Sequence, residues 1–128
     1  MTAARHSTGR QGEQIVARRL AAAGWRIVER NSRVPGIRGE LDLIGVDGPD
    51  LVFIEVKARR VESTLGPETP AMAVGPRKRA KLRALAAAWL RERGYAVPRH
   101  RDLRFDVIGL RLDATGRVVE YEHLRAAF

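Results

Sequence analysis

Leu51-Val52-Phe53-Ile54-Glu55-Val56-Lys57 is the most strand-like run in the chain, apolar until an acid and a base enter near its end. Alternation puts Leu51, Phe53, Glu55 and Lys57 on one side and Val52, Ile54 and Val56 on the other. Both sides begin apolar, as in a strand covered on each face, and this points to an α/β domain with helices packed on a sheet. Glu55 and Lys57 break the pattern where further apolar residues are expected. Charge is costly to bury unless it is paired or holds a metal, so the break marks a candidate functional site.

Just upstream, Asp47-Gly48-Pro49-Asp50 is a turn signal, which predicts a hairpin with a strand over Glu40 to Val46. That hairpin brings Asp42 towards Glu55, and two neighbouring carboxylates repel unless a cation or a proton lies between them. An oxygen-bound divalent ion resolves the conflict. Mg²⁺ is the expected ion, Mn²⁺ a common substitute, and Ca²⁺ an occupant without turnover. Lys57 shares the face of Glu55 and can hold an attacking hydroxide or balance charge growing on a phosphate. Glu13 heads the apolar stripe Val16, Ala17 and Leu20, so a helix packed on the sheet aims a further carboxylate at the ion. The candidate catalytic set is therefore Asp42, Glu55, Lys57 and Glu13. The candidate metal ligands are Asp42, Glu55, Glu13 and the Val56 carbonyl.

The first helix is expected to start at Thr8, which has capping-box spacing to Gln11, and to stop at Gly24, leaving 1–7 as a flexible lead. Trp25 to Glu29 reads as a strand and Asn31 to Arg38, with Pro35 and Gly36, as a loop. Residues 58–70 lose periodicity and read as a mobile loop. A second helix is expected over Pro76 to Arg93, closed by Gly94. Strands follow over Phe105 to Leu112 and Val118 to Tyr121, giving the order αβββαββ within one domain, 1–128. Three readings favour structure over chemistry: Glu40 as a salt-bridge partner, Asp106 as an ion pair of Arg104, and Trp25 and Trp89 as core residues.

Lysine and arginine number 24 against 15 aspartates and glutamates, a formal charge of +9 on 128 residues, so polyanions lead the list of partners. Arg59, Arg60, Arg77, Lys78 and Lys81 are the candidate phosphate contacts, although a basic helix face is more often simply solvated. The absence of cysteine removes disulfides and thiolate chemistry, and His6, His100 and His123 lack metal-ligand spacing. No apolar run reaches the ~20 residues of a membrane span. No secretory pattern opens the chain, so a cytoplasmic location is expected, with no membrane partner and no small-molecule cofactor.

Gly39-Glu40-Leu41-Asp42-Leu43-Ile44 and Phe53-Ile54-Glu55-Val56-Lys57, together with Gly12-Glu13 and Arg104-Phe105-Asp106-Val107, resemble the motifs of the YraN-like family of uncharacterised bacterial proteins. The resemblance runs from about Gly9 to the C-terminal strand. That family is similar in fold to the PD-(D/E)xK nucleases, including archaeal Holliday-junction resolvases. The resemblance thus implies a restriction-endonuclease-like core, a mixed β-sheet flanked by helices. It also implies metal-binding roles for Glu13, Asp42 and Glu55, a catalytic role for Lys57, and a homodimer, since related resolvases pair to cut two strands. The expectation is a Mg²⁺- or Mn²⁺-dependent endonuclease acting on DNA, branched or single-stranded, in repair or recombination. The alternatives are a catalytically silent nucleic-acid-binding module on the same fold and a basic protein-interaction factor.

Overall fold

The computed structural model describes residues 2–61 and 74–128. Along the chain run α1 (Thr2–Ala22), β1 (Arg26–Val34), β2 (Ile37–Asp47), β3 (Asp50–Arg60), α2 (Pro76–Arg93), a 3-10 turn (Gly94–Ala96), β4 (Asp102–Leu112) and β5 (Val118–Leu124). The strands form one sheet in the spatial order β1-β2-β3-β4-β5. All neighbours are antiparallel except β3 and β4, which run parallel and in step from Asp50↔Asp102 to Arg60↔Leu112. The sheet is therefore mixed. Parallel neighbours require a crossover, and α2 lies in the connection between them.

The central strand β3 is covered on both faces, as its sequence demands. Leu51 and Phe53 join Leu82, Leu85, Ala86 and Trp89 of α2 in one core. Val52, Ile54 and Val56 join Val16, Ala17 and Leu20 of α1 in the other. Trp25 and Trp89 are both buried, the reading given to them from sequence. The Trp89 indole N–H donates to Glu29 Oε2 at 2.6 Å, which ties α2 to β1. Among the described residues no helix is long and apolar enough to cross a membrane.

Three boundaries differ from expectation. α1 begins at Thr2, so the supposed flexible lead carries helical backbone from residue 2 on. Its Ala-Ala-Arg composition favours helix, and Thr8 spends its hydroxyl on Arg60 Nε (3.2 Å) rather than on a cap. The supposed loop from Asn31 to Arg38 is a hairpin, with β1 running to Val34 and β2 resuming at Ile37. Pro35 and Gly36, the latter at φ +84°, supply its turn. β3 continues to Arg60, because β4 offers it a ladder as far as Leu112, so Ala58, Arg59 and Arg60 are strand rather than loop. The rest of the expected mobile segment, from 62 to 70, lies outside the described residues.

At the hairpin end of the sheet, Arg104 bonds Asp106 Oδ1 (2.9 Å), Asp50 Oδ2 (2.8 Å) and Asp47 Oδ2 (2.9 Å). Asp106 is fully buried and also takes His123 Nε2 (2.7 Å) and the Ala126 N–H (3.0 Å). Register places it beside Ile54, so it is a structural anchor and not a partner of Lys57. Burial pushes its pKa up, but the bonds from His123, Arg104 and Ala126 outweigh burial and hold it below the ordinary value of 3.8. A lowered carboxylate pKa stabilises the fold above the unfolded value and loses that contribution as pH falls through the folded one. Asp106→Asn should therefore cost about 3 kcal/mol at neutral pH. In thermal melts of wild type and variant across pH, the gap should shrink as pH falls through the carboxylate range; a gap that does not shrink towards acid would contradict this role.

Candidate active site

β2 and β3 pair only from Asp47↔Asp50 to Leu43↔Ile54. Beyond that point β2 stays with β1 and β3 with β4, so the sheet forks. Asp42 stands in the fork, and its Oδ2 accepts the Val56 N–H at 2.9 Å, a side chain completing the strand ladder. The opening lets side chains from both faces converge. Glu13 arrives from α1, and Glu55 and Lys57 lie on β3 on the α2 side.

Glu13, Glu40 and Asp42 offer carboxylate oxygens that all lie within 4.8 Å of one another, the spacing of a cation site. Glu55 is buried and faces two ammonium groups, Lys57 Nζ at 3.2 Å and Lys78 Nζ at 3.6 Å. A small cavity behind Asp42 and Glu55 is walled by Leu41, Phe53, Ile54, Leu82, Phe105 and Phe128, which keeps water from the acids on that side. Burial, then repulsion from Glu55 and Glu13, raises the Asp42 pKa from 3.8 to about 8 against the opposing pull of the Val56 N–H and Lys57. Without a cation, this carboxyl group is held protonated at neutral pH.

The four residues read from sequence as catalytic, Glu13, Asp42, Glu55 and Lys57, thus gather at one place. Glu40 does what was expected of it, pairing with Arg10 and Arg33 at 3.4 Å each, and also belongs to the carboxylate cluster. Of the basic candidates, Lys78 reaches the site. Arg60 is engaged elsewhere, with Thr8 and with the Asp113 carbonyl (3.1 Å). Arg59 is half-buried on β3, while Arg77 and Lys81 are exposed on α2. Val56 reaches Asp42 through its N–H.

Sequence reasoning missed Asn31, whose amide nitrogen lies 2.6 Å from Glu13 Oε2 and 3.2 Å from Glu40 Oε1. No motif spacing marks it, because it belonged to the segment read as a loop. Lys78 was placed among phosphate contacts but not with Glu55. Its signal was available: it heads the Leu82, Leu85, Trp89 stripe at helical spacing, as Glu13 heads the stripe of α1.

The donor set is all oxygen, three carboxylates crowded at the mouth of a half-dry fork, and this suits a hard divalent cation. Hence the residues present fit Mg²⁺ or Mn²⁺. The position of Glu13 depends on close packing. A Cβ added at Gly12 would lie 2.4 Å from Ala58 Cβ, so α1 touches β3 there with only hydrogen between them.

The uncharacterised protein family UPF0102 matches residues 12–110. A UPF0102 protein of Moorella thermoacetica is 44% identical over 128 residues, all of both chains. One from Streptomyces griseus is 43% identical over 122 residues, 95% of this chain and 96% of the relative. One from Frankia casuarinae is 45% identical over 125 residues, 98% of each.

Two outcomes follow from the packing and the crowding of charge. Gly12→Ala should destabilise by about 1–3 kcal/mol, because the Ala58 Cβ is fixed directly to the β3 backbone and cannot swing aside; an unchanged denaturant midpoint would refute the close contact. Asp42→Asn removes the cost of protonating a carboxyl group that burial and neighbouring acids keep neutral in the fold, and keeps an acceptor for the Val56 N–H. In EDTA at neutral pH its melting temperature should rise by several degrees, whereas a lower one would mean that the cluster is not strained.

Proposed function

This chain belongs to the uncharacterised protein family UPF0102, and we propose that it is a divalent-metal-dependent endonuclease of DNA on a restriction-endonuclease-like core. The observation that carries this reading is the fork at Asp42, where acids from α1, β2 and β3 meet beside Lys57. Burial, with repulsion from Glu55 and Glu13 added, keeps Asp42 protonated at neutral pH unless a cation joins it. The net charge of +9 supports a polyanionic substrate.

Asp42, Glu13 and Glu40 would hold the ion, with Glu55 and the Val56 carbonyl as further donors at the mouth of the fork. Bound there, Mg²⁺ or Mn²⁺ would supply Lewis acidity and lower the pKa of its water. Lys57 has a compact charge on a flexible stem and releases Glu55 to orient the attacking water or to balance charge on the phosphate. Lys78 approaches Glu55 from α2 and is placed to take a non-bridging phosphate oxygen. Arg77 and Lys81, exposed on the same helix, extend a basic track for the DNA backbone. Branched or single-stranded DNA is the proposed substrate class, in repair or recombination.

A second reading has one observation in its favour. Glu55 is satisfied by two lysines, so that half of the site needs no metal, as suits a binding module that does not cut. Labelled single-stranded, duplex, flap and four-way-junction DNAs, incubated with Mg²⁺, Mn²⁺ or EDTA, separate the two. The nuclease requires metal-dependent cutting that Asp42→Asn, Glu55→Gln and Lys57→Ala each lower by about 100-fold or more with binding retained. Tight, salt-sensitive binding with no cutting on any substrate would replace the enzyme with the module.

A further inference from the structure

Asn31 lies inside β1 yet has φ +50°, a left-handed backbone that a strand does not call for and that, glycine aside, asparagine and aspartate adopt most readily. The departure is local. Arg30 pairs with Leu43 on one side of it and Ser32 with Leu41 on the other, so β1 resumes at once. What the turn achieves is the direction of one side chain. The Asn31 amide nitrogen donates to Glu13 Oε2 at 2.6 Å and to Glu40 Oε1 at 3.2 Å, linking the acid from α1 to the acid from β2. Arg10 also approaches both acids, but at 3.4 Å each and with a side chain more than half exposed. It is the looser of the two holds.

We propose that Asn31 is the positioning residue of the cation site, a neutral clamp that sets Glu13 and Glu40 against Asp42 at the separation a divalent ion requires. The inference rests on the metal reading above and adds a residue to it. Strain in a backbone persists only where its surroundings enforce it, and such strain gathers at working sites. A neutral donor suits the task for an electrostatic reason. An amide fixes the direction of each carboxylate while leaving its charge unspent, whereas a lysine or arginine in the same place would itself neutralise the acids and compete with the ion. Partners that orient metal-binding carboxylates in this way typically contribute 10–100-fold to metal affinity.

Asn31→Gly separates the clamp from the fold, because glycine takes φ +50° without strain and lacks only the amide. Mn²⁺ is titrated calorimetrically into the full chain without nucleic acid, and thermal melts in EDTA run alongside. The expected result is an unchanged or higher melting temperature with Mn²⁺ affinity weakened about tenfold or more. In cleavage assays the Mn²⁺ concentration giving half-maximal rate should rise with the KM for DNA unchanged. Should the glycine variant melt early, Asn31→Ser, too short to span both acids, is expected to show the same loss of Mn²⁺ affinity from a folded chain. Wild type and a folded variant binding Mn²⁺ equally tightly would overturn the clamp and leave the metal reading standing. A wild-type chain that takes no Mn²⁺ would overturn the metal reading, and the clamp with it.

Discussion

The hydrogen bond from the Val56 N–H to Asp42 Oδ2 closes the β2–β3 ladder with a side chain where a backbone carbonyl would continue it. Past it, β2 follows β1 and β3 follows β4, and the sheet opens. A continuous sheet is a wall between its two faces: a residue on the α1 side cannot meet one on the α2 side. The fork removes that wall over a short distance. Glu13, at the head of the α1 stripe, and Lys78, at the head of the α2 stripe, can then belong to one site although their helices pack on opposite faces.

The two ends of β3 manage charge in opposite ways. At the hairpin end, Arg104 bonds Asp47, Asp50 and Asp106, and His123 completes Asp106. Compensated ions at that end fix the hairpin and the parallel register of β3 and β4. At the fork, burial and then repulsion from Glu55 and Glu13 raise the Asp42 pKa to about 8, although Lys57 and Lys78 both lie against Glu55. Leaving charge unmet at one end is tolerable because the other end is tied so closely.

Where local pattern and tertiary need agreed, the sequence was readable. β3 declared itself by apolar residues on both faces, and α2 by Pro76 at its start and Gly94 at its end, and its bounds hold as read. Asp42 and Glu55 could be brought together because one turn, Asp47 to Asp50, sets the hairpin register. Legibility failed where tertiary contact overrode local signal. The polar run Asn31-Ser32-Arg33 looks like loop, and it is strand because β2 supplies a ladder, while Glu29 just before it receives Trp89 and Arg93 (2.7 Å) from α2. Thr8 looked like a cap because capping patterns are short and recur by chance; its hydroxyl instead meets Arg60, a residue distant in sequence.

The residues hardest to read are those whose role depends on direction. Alternation along β1 assigns Asn31 a face but does not foretell a left-handed backbone, which sends its amide across to two acids on other elements. Lys78 differs, since helical spacing alone sets it on the buried stripe with Leu82 and Leu85. A charged residue at the end of an otherwise apolar stripe is therefore informative twice in this chain, at Glu13 and at Lys78. In both helices the stripe buries the shaft against the sheet and carries its terminal charge to the rim of the core, where the fork admits it. Burial of the apolar residues thus sets the position of both charges.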